Sequence, residues 1–149
     1  MPFFKDLYAA TQKLLEQHDN KAFLEGCMAA CAIVAYSDGE ISFAERGKLN
    51  QIITVVDRLK IYDPDDGVRL FNTYVQSLRN DPKGKHHAKK ELLKKIHDIF
   101  QAPSDKKTLL KICWAICKSD GDVVRYEYES IEEIAKQIDM TVRDVFENY

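Results

Sequence analysis

Enzyme signatures and membrane spans are both missing from this sequence. It contains no Gly-rich phosphate loop, no HExxH motif, no nucleophile elbow and no CxxC pair. It has no run of about 18 apolar residues, the length that a membrane-spanning helix requires. Glycine and proline are scarce, at 6 and 4 of 149 residues, and no linker or low-complexity segment divides the chain. These absences predict a single domain that is not an enzyme.

An excess of charge of one sign is also lacking. Lys and Arg number 22 against 24 Asp and Glu, so the formal net charge is −2. A charge this small does not favour nucleic acid as a partner. The four cysteines form two pairs, each one helical turn apart, Cys27/Cys31 and Cys113/Cys117, and no apolar leader segment precedes them. We therefore expect a cytoplasmic protein without disulfides and without a nucleic-acid partner.

Apolar residues recur with helical spacing through the whole chain, and no segment alternates for long enough to form a strand. Turn glycines, or an N-cap residue followed by proline, separate the helical segments. The pattern predicts an all-α fold of about eight helices in one globular bundle over residues 1–149. The third predicted helix extends to Leu59. The predicted helices begin near Phe3, Lys21, Ser42, Asp63-Pro64, Asp81-Pro82, Pro103, Val124 and Thr141.

The two halves of the chain align without a gap when Cys31 is placed over Cys113. The repeat covers about residues 23–59 and 105–141 and is centred on a Ser-Asp-Gly turn followed by a glutamate. It predicts two pseudo-symmetric helix-turn-helix halves, in which the turn glycine adopts a left-handed conformation. The identical pairs include Ser37/Ser119, Asp38/Asp120, Gly39/Gly121, Glu45/Glu127 and Ile52/Ile134.

The repeated turn is similar to the second half of an EF-hand calcium loop. Its aspartate, glycine and glutamate match positions 5, 6 and 12 of that loop. Val34 and Tyr36 stand at positions 1 and 3, where carboxylates are required, so a complete EF-hand is excluded. An incomplete oxygen site for a divalent cation stays open, and no other cofactor is predicted. Its candidate ligands are Asp38, Glu40, Glu45, Asp120, Asp122 and Glu127.

A purely structural turn is the alternative. Ser42 and Glu45 have the spacing of a capping box, in which the serine and the glutamate satisfy each other's backbone N–H groups. In the second copy the equivalent of Ser42 is Val124, which has no side-chain oxygen. From this difference we infer that capping accounts for Glu45 but not for Glu127.

Several segments resemble the TerB family of bacterial tellurite-resistance proteins: the paired Ser-Asp-Gly…Glu elements, Phe3-Phe4, residues 21–24 and residues 131–138. The resemblance implies an all-α, cytoplasmic accessory protein in tellurite and metal-stress resistance, acting by cation binding or by scaffolding. The implied partners are other tellurite-resistance or stress-complex proteins, a second copy of the chain, and at most the surface of the inner membrane. Lys118 and Arg125 depart from the acidic pattern because they could neutralise the second motif.

Three further groups of residues, the lysines of residues 83–95, three histidines and the four cysteines, have plainer explanations. Residues 83–95 hold six lysines and one glutamate, which could bind anionic lipid, a phosphate or an acidic partner. A solvated helix face is the favoured interpretation. His86, His87 and His97 are not spaced to close a transition-metal site on one helix. The four cysteines could form a thiolate site for a soft metal if their helices face each other. A buried core is the favoured interpretation, because free cysteine is among the most buried residue types.

Overall fold

The computed structural model describes residues 20–37, 39, 41–56, 59, 62–81, 86–119, 121 and 123–146. These residues form seven helices and contain no strand, which confirms the predicted all-α class. The predicted first helix, from Phe3 to Leu15, lies outside the described residues. The helices are α1 (residues 20–35), α2 (Phe43–Val55), α3 (Pro64–Arg79), α4 (His87–Ile99), α5 (Pro103–Lys118), α6 (Arg125–Gln137) and α7 (Val142–Phe146).

Local capping explains where several helices begin. At α3, the Asp63 side chain accepts a hydrogen bond from the Asp65 N–H at 3.0 Å, and Pro64 occupies the first helical position. At α7, Thr141 and Asp144 form a reciprocal capping box, with N···O distances of 2.9 and 3.2 Å. Both helix starts were predicted, and both are confirmed.

Helix α4 begins later than predicted. It starts at His87 rather than at Asp81-Pro82, and the N-cap residue is His86, with a left-handed φ of 53°. Asp81 still caps the helix, because its Oδ2 accepts a hydrogen bond from the Ala88 N–H at 3.2 Å. The acid was correctly assigned to this helix end, but it precedes its bonding partner Ala88 by seven positions and does not act from the position adjacent to the helix.

Helix α2 ends earlier than predicted, at Val55 with Val56 as its C-cap. Leu59 lies in a turn, where its N–H donates to the Val56 carbonyl at 2.9 Å, yet its side chain is fully buried. The apolar periodicity continues to Leu59 because this side chain packs in the core although it lies beyond the helix. The periodicity therefore placed the predicted end of α2 too late.

The core is centred on α1 and α5. Residues 26–35 of α1 are all buried, and so are all four cysteines, which are free thiols. Burial raises the pKa of Cys31 to about 12 and raises that of Cys113 well above its ordinary value. The burial of all four cysteines confirms their interpretation as core residues.

Candidate functional site at the duplicated turns

The two repeated turns have matching backbone geometry. After α1, the Gly39 N–H donates to the Tyr36 carbonyl at 3.0 Å, and after α5 the Gly121 N–H donates to the Lys118 carbonyl at 3.1 Å. The φ angles of the two glycines are 87° and 119°, in the region that residues with a side chain rarely adopt. Each turn thus ends one helix and redirects the chain into the next in the same way.

The turn glutamates satisfy the first backbone N–H group of the following helix. Glu45 Oε1 accepts from the Ser42 N–H at 2.9 Å, and Glu127 Oε1 accepts from the Val124 N–H at 3.1 Å. Only the first copy has the reciprocal bond, in which Ser42 Oγ accepts from the Glu45 N–H at 3.0 Å. The inference that capping cannot account for Glu127 was therefore wrong, because the glutamate needs only a backbone N–H, which valine has.

Both glutamates also lie near one buried thiol, that of Cys117 in α5. Burial is the largest cause of the raised pKa of this thiol, followed by Glu127, which acts through its charge and a side-chain hydrogen bond. Cys31 and then Glu45 raise the same pKa further. The glutamates of both turns therefore act on the same thiol, near the end of α5.

The acids that would complete a cation site are not described. Asp38, Glu40, Asp120 and Asp122 lie outside the described residues. Among the residues that are described, no group of three or more His, Cys, Asp or Glu side chains could hold a metal ion. Carboxylate oxygens suit Ca²⁺, Mg²⁺ and Mn²⁺, but Glu45 and Glu127 do not make a site by themselves. The six-residue cation site stays a prediction.

Arg125, one of the two cations expected to neutralise the second motif, is paired with a different glutamate. The Arg125 Nε donates to Glu129 Oε1 at 3.0 Å, one helical turn along α6, and not to Glu127.

In the basic segment, residues 83–95, Lys89 forms an ion pair with Glu133 of α6 at 2.7 Å, and Lys95 pairs with Glu25 of α1 at 3.2 Å. These two lysines join α4 to its neighbours.

A cleft of about 430 Å³ lies beside the first turn, and sequence analysis did not identify it. Residues from α1, α3, α4 and α6 line it, including Tyr36, Ser37 and Tyr126. The Ser37 Oγ is buried and has no hydrogen-bond partner among the described residues. Its counterpart in the second turn, Ser119 Oγ, donates to the Ile116 carbonyl at 2.6 Å. The two turns therefore differ in whether the serine hydroxyl is used internally.

Comparison with known families supports the resemblance carried by the turn motifs. A family model described as tellurite resistance protein TerB matches residues 24–147, and so includes both turns and the six helices from α2 to α7. The chain belongs to the TerB family. A tellurium resistance protein TerB from Alcaligenes sp is 29% identical over 65 residues, which are 44% of this chain and 53% of that protein. The chain thus spans about half the length of this TerB relative. No solved structure matches the chain.

The membrane contact expected from the TerB resemblance requires no transmembrane helix. Over the described part of the chain, no helix is long and apolar enough to cross a membrane.

Proposed function

We propose that the protein is a non-catalytic accessory protein in cytoplasmic resistance to tellurite and metal stress. It acts by binding other proteins of that system, and a divalent cation binds at its duplicated Ser-Asp-Gly…Glu turns. The observation that carries the proposal is the match to the TerB family over residues 24–147, because this match includes both turns.

The matching geometry of the turns supports a shared role for them. Both glycines have positive φ, and both glutamates lie in the first turn of the following helix. The carboxylate of each accepts a hydrogen bond from the backbone N–H of the N-cap residue. A helix N-terminus also stabilises the negative charge that a cation would need. The acids at positions 38, 40, 120 and 122 would supply the remaining oxygens, since calcium takes six to eight of them.

A survival assay tests the role in resistance. A strain that lacks its TerB-family gene is complemented with this protein or with Glu45→Gln/Glu127→Gln, and growth is measured on tellurite. Glutamine keeps the oxygen that accepts the capping bond but removes the charge that a cation requires. The proposal expects wild-type protein to restore growth and the double variant to restore it at least tenfold less well. Glu132→Gln, an exposed acid of α6, is the matched control and should behave as wild type.

The second candidate is a structural interaction module without a cation. The observation that favours it is the pair of capping bonds, which give each glutamate a role in the helix start. On this alternative, the glutamine double variant restores growth fully, because the fold and its binding surfaces are unchanged. The same assay therefore separates the two candidates.

A further inference from the structure

The cleft beside the first turn has the size and composition of a recognition site. Its volume of about 430 Å³ lies within the range of small-ligand pockets, roughly 300–1,000 Å³. Its walls combine the aromatic rings of Tyr36 and Tyr126 with charged side chains from three separate elements. One of these charged side chains, Asp81, also caps α4.

Negative charge predominates in the cleft. Three carboxylates line it, those of Asp81, Glu129 and Glu133, against the single ammonium group of Lys89. Lys89 is already paired with Glu133 at 2.7 Å. Glu129 is in turn bonded to Arg125, but both side chains of this pair are largely exposed, and an exposed ion pair contributes little. The lining itself therefore carries an excess of acid, which favours a cationic occupant.

The aromatic walls favour a guanidinium group among cations. Arg79 already lies over the ring of Tyr36, with its guanidinium carbon 5.6 Å from the ring centroid. Tyr126 lines the same cleft and is 63% exposed, so its ring is accessible to a ligand. Tyrosine rings attract arginine through cation–π contact and stacking.

The hydroxyl of Ser37 supplies an acceptor that the fold does not use. The Oγ is buried, lines the cleft and has no partner among the described residues, whereas Ser119 Oγ is hydrogen-bonded within its own turn. A buried polar group without a partner costs stability unless a ligand satisfies it. Guanidinium carries five N–H donors in one plane, so it can bond a carboxylate and this hydroxyl together.

We propose that this cleft binds an arginine side chain presented by a partner protein, with Glu129, Glu133 and Ser37 as hydrogen-bond acceptors and Tyr126 as the stacking surface. This proposal deepens the protein-binding part of the proposed function and rests on it. Exposed tyrosine at the edge of a pocket and arginine on the partner are residue types typical of interface hot spots.

The test is an NMR titration of the whole protein with blocked arginine, N-acetyl-arginine methylamide. The neutral isostere N-acetyl-citrulline methylamide serves as the comparison ligand. We expect shifts for residues of the cleft, an affinity on the order of 1 mM, and much weaker binding of citrulline. Binding only to residues elsewhere, equal binding of citrulline, or no shifts at about 20 mM arginine would overturn the proposal.

Three variants test whether the charge of the cleft sets its affinity for arginine, because they should change that affinity in different directions. Glu133→Gln should weaken arginine binding by roughly two- to fivefold, whereas Glu132→Gln, adjacent but outside the cleft lining, should not change it. Lys89→Gln releases Glu133 from its ion pair and should strengthen binding by a similar factor. Weaker binding in Lys89→Gln, with the fold intact by its NMR spectrum, would contradict the assignment of a cationic ligand.

The outcome is separable from that of the proposed function. The titration uses purified protein and residues that are not candidate cation ligands, so it can fail while the protein still restores growth on tellurite. If arginine binds but Glu133→Gln restores growth as well as wild type does, the cleft binds arginine but this binding is not needed for growth on tellurite.

Discussion

The carboxylate of Glu127 accepts a hydrogen bond from the Val124 N–H at 3.1 Å, although valine has no side-chain group with which to reciprocate. This bond reproduces in the second turn one of the two capping bonds of the first. It also shows that the glutamates of both turns have a structural role, to which any cation binding is an addition.

Removal of the Glu127 carboxylate should destabilise the fold by a modest amount. We expect Glu127→Ala to lower the free energy of unfolding by about 0.5–1 kcal/mol, because the N-cap N–H of α6 loses its acceptor. Glu127→Gln should cost less, since the amide oxygen still accepts and only the charge near the helix N-terminus is lost. Urea unfolding of the two variants measures the difference. Equal losses in both would show that charge, and not the hydrogen bond, stabilises the turn.

The two turn serines should respond differently to truncation. Ser119→Ala removes a hydrogen bond to the Ile116 carbonyl and should cost about 0.5–1.5 kcal/mol of unfolding free energy. Ser37→Ala removes a buried hydroxyl without a partner among the described residues and should be neutral or stabilising. The pair is matched, because each serine precedes its turn glycine by two positions. A loss in Ser37→Ala as large as that in Ser119→Ala would show that the hydroxyl is used in the free protein.

Glycine 26 should be intolerant of any side chain. A Cβ at this position would collide with the ring of Phe100, which is itself buried and packed against Phe23, with 5.5 Å between the ring centroids. We expect Gly26→Ala to lower the free energy of unfolding by roughly 1–3 kcal/mol through overpacking.

Gly47, in α2, provides the control for that substitution. A Cβ there meets nothing within 4 Å, so Gly47→Ala should stabilise the protein by up to about 1 kcal/mol through helix propensity. Thermal unfolding of both variants measures the pair. A stable Gly26→Ala protein would contradict the close packing of α1 against Phe100.

Stability should fall at alkaline pH because of the buried thiols. The pKa of Cys31 is raised from 9.0 to about 12 by burial, so the folded state keeps its proton where the unfolded state loses it. This contribution is fully present below pH 9 and is lost as the pH rises from 9 towards 12. Unfolding in urea between pH 8 and pH 10.5 should show a downward slope that is shallower in Cys31→Ala. Equal slopes in the two proteins would indicate an exposed thiol.

The sequence predicted a structural feature correctly where the residues that form it are neighbours in the chain. The starts of α3 and α7 were predictable because Asp63 and Thr141 cap within three residues of themselves. The start of α4 was misplaced because Asp81 caps from outside the helix, seven positions before its bonding partner Ala88. The capping role of Glu127 was not predicted because Val124 lacks a side-chain oxygen. The glutamate bonds the backbone N–H of Val124, which does not depend on the side chain. The cleft was beyond sequence analysis because Ser37, Lys89 and Glu133 meet only through tertiary packing.

Cation binding at the duplicated turns is tested by the thermal stability of the protein in Ca²⁺, Mg²⁺ and Mn²⁺, compared between wild type and Glu45→Gln/Glu127→Gln. An ion that binds only the folded state adds about 2.7 kcal/mol at one hundred times its dissociation constant. We expect at least one of these ions at millimolar concentration to raise the Tm of wild type, and to raise that of the double variant and of Asp38→Asn/Asp120→Asn distinctly less. An unchanged Tm in wild type with all three ions, or an equal rise in every variant, would contradict cation binding at the duplicated turns.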